Sequence, residues 1–249
     1  MNASLSLIDL SEIWVYLSGS PLFSLFLTLS AYQLGLSLYQ RANKNPFANP
    51  VAIAVTVVVL VIAGIDMPYA TYFEGAQFVH FLLGTATVAL AVPIYKGWHL
   101  MRGRVVAMGV ALVLGGLTSI VGAVIMAQLM GVPTELIAPL YAKSVTAPIG
   151  MGVAQSIQAS PTLTAVYAVV TGITGSIVAP YVLNALSIRG WWQRGFAIGV
   201  SAHGIGTSRA FSVHPEAGAF SSMGMGINGV LGALFIPSLF QWISPWLTR

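Results

Sequence analysis

Two stretches place cations, hydroxyls and helix-breaking residues inside otherwise apolar sequence. The first is Lys143-Ser144-Val145-Thr146-Ala147-Pro148-Ile149-Gly150-Met151-Gly152, and the second is Ser201-Ala202-His203-Gly204-Ile205-Gly206-Thr207-Ser208-Arg209. Pro148 removes a backbone donor and the glycines weaken the ladder, so each stretch predicts a helix that breaks at membrane depth. A broken helix offers free N–H groups and a positive dipole end, which suits a carboxylate. Lys143 or Arg209 would supply positive charge, with Ser144, Thr146 and Thr207 as hydrogen-bond partners and the backbone around Pro148 and Gly204 open to approach. His203 is suited to carry a coupling proton, since imidazole changes charge near neutral pH. Thr85 and Thr87 are secondary candidates. Each feature also has a plain structural reading. Lys143 can snorkel to the interface, hydroxyls can bond back to their own helix, and His203 beside glycines can bond a neighbouring carbonyl. His80, beside Gln77 and Gly84, reads as a helix-to-helix hydrogen bonder.

These stretches lie in a chain of 249 residues that is 57% hydrophobic and 6% charged. Soluble domains carry about a quarter charged residues, and a spanning helix needs roughly 20 apolar ones, so the length allows about seven to nine spans. The expected fold is all-α, a polytopic transmembrane bundle with two broken or re-entrant helices, forming a single domain over residues 1–249. Lys and Arg exceed Asp and Glu by ten to six. In a polytopic chain this reflects basic loops held in the cytoplasm rather than nucleic-acid binding. The absence of cysteine excludes disulfides and thiolate sites. Asp9 and Glu12, with no Lys or Arg among the first twenty residues, argue against a secretory signal and for a non-cytoplasmic or interfacial N-terminus.

In chain order, Leu22–Tyr39 reads as a span, followed by a basic loop with Arg41 and Lys44. Pro50–Ile65 is a short apolar run, and Gly75–Tyr95 is a more polar helix. Lys96, His99, Arg102 and Arg104 form the densest basic loop. Val105–Met130 and Pro161–Leu186 are further spans, and Gly218–Leu247 is a long last helix. The stripes Gly115, Ser119, Gly122 and Ala168, Gly172, Gly175, Ala179 suit close helix approach. If Pro133–Gln158 crossed once, the Arg189 and Arg194 loop would violate the charge rule. If it dips in and returns, all three basic loops are cytoplasmic. Thr87-Val88-Ala89 before Pro93-Ile94 faintly repeats Ser144-Val145-Thr146-Ala147-Pro148-Ile149, a pairing that would suit inverted repeats.

No Walker loop, His-Glu-x-x-His, Gly-x-Ser-x-Gly or dinucleotide fingerprint occurs, and the four histidines show no metal spacing. The chain is therefore expected not to be an enzyme and to hold no cofactor beyond a coupling H+ or Na+.

Ala86-Thr87-Val88-Ala89-Leu90-Ala91-Val92-Pro93, Lys143-Ser144-Val145-Thr146 with Pro148-Ile149, Thr171-Gly172-Ile173, and Ser201 to Thr207 with Arg209-Ala210 resemble the LrgB/CidB family of bacterial membrane proteins. Its homologous region also forms part of the plant plastid glycolate/glycerate translocator. The resemblance covers about Leu82 to the C-terminus. It implies a secondary carrier or facilitator of small monocarboxylates such as glycolate, glycerate or pyruvate. It also implies an alternative: an antiholin-like modulator of murein hydrolase export and autolysis, acting with an LrgA-like membrane partner. The expected location is the bacterial inner membrane, in contact with lipid and as a homodimer. The family usually has proline at Thr85, threonine at Ala147, an acid at Gly152 and alanine at Gly204. Loss of the acid at Gly152 removes a partner for Lys143 or a cation or proton site.

Overall fold

The computed structural model describes residues 20–247 except Leu90, Pro93, Ile94, Lys96 and Gly97. The N-terminal segment with Asp9 and Glu12, Lys96, and the Pro93-Ile94 half of the internal repeat lie outside the described residues, as do the side chains of His80 and Thr87. Every regular element among the described residues is helical. The chain divides into two compact units, Met1–Val88 and Ala89–Arg249.

The first unit holds helices α1 (Pro21–Arg41), α2 (Pro50–Gly64) and α3 (Tyr69–Ala89). Its helices start where a capping side chain precedes proline. Ser20 accepts from Leu22 N–H, and Asn49 accepts from the N–H groups of Val51 and Ala52. Proline follows each cap, where its missing N–H costs no helical bond. The helices approach closely at glycines: Gly35 lies on the Pro50 backbone and Gly75 on the Pro21 carbonyl. The hydroxyls of Thr28 and Tyr72 meet at 2.7 Å. The fifteen residues of α2 span about 22 Å at 1.5 Å each, less than a ~30 Å hydrocarbon core.

The second unit begins with a 3-10 turn, Trp98–Met101, then α4 (Val105–Leu129), α5 (Thr134–Ile137), a 3-10 turn (Ala138–Ala142), α6 (Ala147–Ser156), α7 (Pro161–Ala185), α8 (Trp191–Val213) and α9 (Pro215–Leu247). Contacts at its ends fix the direction of each element. The Arg104 guanidinium lies 5.1 Å from the Trp192 ring, and Arg194 bonds Asn184 at 2.9 Å. The starts of α4 and α8 and the end of α7 therefore share one end, here called the basic end. At the opposite end, Tyr167 hydroxyl donates to the Leu136 carbonyl at 3.2 Å, and Ile137 and Ile157 join one buried cluster with Ala127.

Residues 134–156 thus enter from the far end and return to it. α8 does the same from the basic end. Trp191 and His214 bracket it, yet their rings stack at 4.7 Å with planes 6° apart. A straight helix of 23 residues would separate its ends by about 35 Å. The reversal is at His203, whose φ of 40° and ψ of −131° interrupt the helix. His203 and Thr207 consequently do not share a helix face. The two segments expected to break are both helical hairpins, entering from opposite ends. With 134–156 returning to its own end, the Arg102/Arg104 loop and the Arg189/Arg194 loop fall on one side, as the charge rule required.

Four described helices are long and apolar enough to cross a membrane: α1, α4, α7 and α9 over Pro215–Pro245. The sequence expectation was seven to nine spans; two of the segments behind that figure are hairpins rather than single crossings.

Glycines set the contact between the first arm of α8 and α9. An added Cβ at Gly195 would strike the Ala217 carbonyl, and one at Gly199 the Ser221 carbonyl. Gly152 is exposed and its Cβ would meet nothing within 4 Å. Gly199→Val is expected to destabilise the protein by about 1–3 kcal/mol through overpacking, read as a lower thermal midpoint in detergent, while Gly152→Ala leaves the midpoint unchanged.

Candidate functional site

The first hairpin breaks between Lys143 and Thr146. Pro139 and Pro148 lack donors, and the last weak 3-10 bonds are Lys143 N–H to Leu140 and Val145 N–H to Ala142, at 3.3 and 3.4 Å. The α-ladder resumes with Gly150 N–H to Thr146 carbonyl at 2.8 Å. At the tip, Lys143 Nζ donates to Ser119 Oγ at 2.7 Å and to Ser144 Oγ at 3.1 Å. The two hydroxyls are 2.7 Å apart. This is a triangle of one ammonium and two neutral hydroxyls, with Lys143 half-buried and Ser144 buried. The ammonium thus lies on internal oxygens rather than extending as a snorkelling lysine.

Thr146 is the N-cap residue of α6, but its side chain makes no capping bond. Its Oγ1 is buried and has no hydrogen-bond partner among the described residues. Pro148 occupies the first turn of the same helix. An orphaned buried hydroxyl costs about 1–3 kcal/mol, and this one stands at a helix N-terminus three residues from a cation.

The second hairpin turns at His203, which is 4% exposed. Its Nε2 lies 2.8 Å from the Ala168 carbonyl. A carbonyl only accepts, so Nε2 carries the hydrogen. Gly172 on α7 makes room for this ring, and Gly175 for Ala202, which explains the small-residue stripe on that helix.

Asn228 of α9 joins the two breaks. Its Nδ2 donates to the Ser144 carbonyl at 2.9 Å and to the Val200 carbonyl at 3.2 Å. Both carbonyls lie beside a reversal, and one amide bonds them together. The tips of both hairpins therefore meet. The knot they form stands between two apolar cavities: Ser119 lines one of about 630 Å³ between α4, α7 and α8, and Asn228 lines one of about 600 Å³ between α4 and α9.

The structure thus brings Lys143, Ser144, Thr146, Pro148 and His203 into one region. Gly204, next to the turn, is exposed, with only Met225 Sδ near an added Cβ, at 3.8 Å. Thr207 is turned into packing, its hydroxyl 2.8 Å from Ser221 Oγ and 3.8 Å from Met225 Sδ. Arg209 is half-buried on the returning arm, six residues from His203 and so about 9 Å along the helix. Thr85 belongs to the first unit, is exposed, and bonds the Leu82 carbonyl at 2.8 Å. Ser119 and Asn228 were absent from the sequence reading of the site. The available signal was a serine in the apolar helix α4, read there as a packing residue, and one asparagine in the Gly-rich helix α9.

The chain matches the LrgB-like family over residues 28–242. It belongs to the LrgB family. YxaC of Bacillus subtilis, an uncharacterized protein, is 32% identical over 219 residues, covering 88% of this chain and 94% of the relative. The holin-like protein CidB of Staphylococcus epidermidis is 27% identical over 215 residues, covering 86% and 93%. The holin-like protein CidB of Staphylococcus aureus is 28% identical over 218 residues, covering 88% and 95%. No solved structure matches. As an LrgB-family chain with four described apolar helices of spanning length, this is a membrane protein.

Two substitutions test the knot. Asn228→Leu removes the donor to both carbonyls and is expected to cost about 2–6 kcal/mol, at about 1–3 kcal/mol per group, measured by thermal unfolding in detergent. His203→Gly and His203→Ala both lose the bond to Ala168, but only glycine tolerates φ of 40° with ψ of −131° without strain. His203→Gly should therefore be the more stable of the two by about 1 kcal/mol, and equal midpoints would contradict the strained turn.

Proposed function

We propose that this chain acts as a holin-like modulator of murein hydrolase export and autolysis in the bacterial inner membrane, together with a small LrgA-like membrane partner. The observation that carries the reading is membership of the LrgB family with relatives named holin-like over nearly their whole length. In this reading the chain is not an enzyme, carries no resident cofactor, and acts as a homodimer or with its partner.

A second reading is favoured by a different observation. Lys143 Nζ and the unpartnered Thr146 hydroxyl stand together at the start of α6. A positive charge, an unused hydrogen-bonding group and a helix N-terminus are the parts that would hold a carboxylate. This supports a secondary carrier or facilitator for small monocarboxylates such as glycolate, glycerate or pyruvate, with H+ or Na+ as the coupling ion. Altered carboxylate flux would connect the two readings.

The experiment pairs two assays on the same variants. Autolysis is measured in cells lacking the endogenous gene and complemented with the wild type, Lys143→Met or Thr146→Val, with and without the LrgA-like partner. Labelled glycolate and pyruvate uptake is measured in liposomes. The modulator reading expects partner-dependent autolysis that survives both substitutions, and wild-type autolysis indifferent to the partner would refute it. The carrier reading expects saturable uptake at least ten-fold lower in Lys143→Met, and no uptake above empty vesicles would refute it.

A further inference from the structure

At the basic end, a pocket of about 350 Å³ is lined by Asn184, Arg189, Trp191 and Arg194. Arg194 is fixed in place: its Nη1 donates to Asn184 Oδ1 at 2.9 Å and to the Ile188 carbonyl at 2.8 Å, and its guanidinium lies 5.8 Å from the Trp191 ring. Trp191 is in turn held by its stack on His214. Arg189 is exposed, and its side chain makes no hydrogen bond among the described residues. One guanidinium is therefore oriented and the other is unused. Two arginines beside a tryptophan at a membrane interface suit a phosphodiester, which takes charge-assisted bonds from a planar fork.

The apolar cavity of about 630 Å³ begins at the same rim. Leu183, Ile188, Trp192 and Gln193 line the cavity, while their sequence neighbours Asn184, Arg189, Trp191 and Arg194 line the basic pocket. From there the cavity runs beside α4 from Ala107 to Ser119. Twelve residues of helix measure about 18 Å, close to the ~15 Å depth of one hydrocarbon leaflet. Its walls are mostly apolar, which suits an alkyl chain better than a hydrated carboxylate.

We propose that this paired pocket and groove is a binding site for an anionic glycerophospholipid, with the headgroup phosphate on Arg189 and Arg194 and one acyl chain laid along α4 toward Ser119. The joined geometry selects the occupant. A free phosphate would use only the basic pocket, and a lipid without phosphate, such as a diacylglycerol, only the groove; phosphatidylcholine has the phosphodiester, but its quaternary ammonium brings a positive charge to two guanidiniums. Because the groove ends at Ser119, whose hydroxyl holds Lys143, the chain terminus would lie beside the knot and lipid occupancy would stiffen it.

The test uses the full chain, purified in neutral detergent and delipidated. Retention of phosphatidylglycerol, phosphatidylcholine and soluble glycerol 3-phosphate is compared by native mass spectrometry, with thermal midpoints measured in parallel. Phosphatidylglycerol alone is expected to be retained and to raise the midpoint. Arg189→Gln should weaken its retention roughly five-fold, the scale of one basic residue at an anionic surface, without changing the lipid-free midpoint. Ala111→Phe, at an exposed groove position, should reduce retention while leaving both arginines in place. Equal retention of phosphatidylcholine, binding of glycerol 3-phosphate as tight as that of the lipid, or unchanged phosphatidylglycerol retention in Arg189→Gln would each overturn the proposal.

Discussion

One amide nitrogen makes the discontinuous interior of this protein affordable. Asn228 Nδ2 donates to the carbonyls of Ser144 and Val200, which belong to hairpins entering from opposite ends. In a hydrocarbon environment a backbone group without a partner costs several kcal/mol, so a helix can break there only where other protein groups take over its bonds. The Lys143 ammonium on Ser119 and Ser144, and the His203 ring on the Ala168 carbonyl, tie the side chains of the two tips to the neighbouring helices. The three uncut elements α4, α7 and α9 each contribute one of these partners: Ser119, Ala168 and Asn228. The spanning helices thus act as walls that complete the hydrogen bonding of the hairpins between them.

The glycines follow from the same arrangement. Gly195 and Gly199 bring the first arm of α8 onto the backbone of α9, and Gly172 and Gly175 let the tip of α8 press against α7. Close approach is what carries the broken ends within reach of Asn228 and Ala168. Without it, the hairpin tips would lie among lipid tails with carbonyls exposed. Among the described residues, the buried hydroxyl left over beside these tips is Thr146 Oγ1. Its position, beside the cation and at the start of α6, is what supports the proposed carboxylate site.

Much of this was legible in the residues. The starts expected at Leu22, Pro50 and Pro161 fall on or beside the observed starts at Pro21, Pro50 and Pro161, where Ser20, Asn49 and Ser160 cap the first turn. The break at Lys143–Thr146 and the double-back of residues 134–156 were legible too, through Pro148 and through the side on which Arg189 and Arg194 had to fall. Arg104 beside Trp192 and Arg194 beside Asn184 put those basic loops on one end. The number of spans was harder, since composition records apolar length and not whether a segment turns back.

Sequence alone determined the class of the protein and the places where its helices break, because charge, proline and hydropathy act within a few residues of where they occur. Only the tertiary structure decided that Ser119 and Asn228 are the partners, that Thr207 is spent on Ser221, and that the tip of α8 is His203 itself rather than a glycine beside it. Those outcomes depend on which helix lies across from which at distances of about 3 Å, between residues separated by 24 positions for Lys143 and Ser119 and by 84 for Ser144 and Asn228. No local pattern encodes such a meeting; it follows from the packing of whole helices.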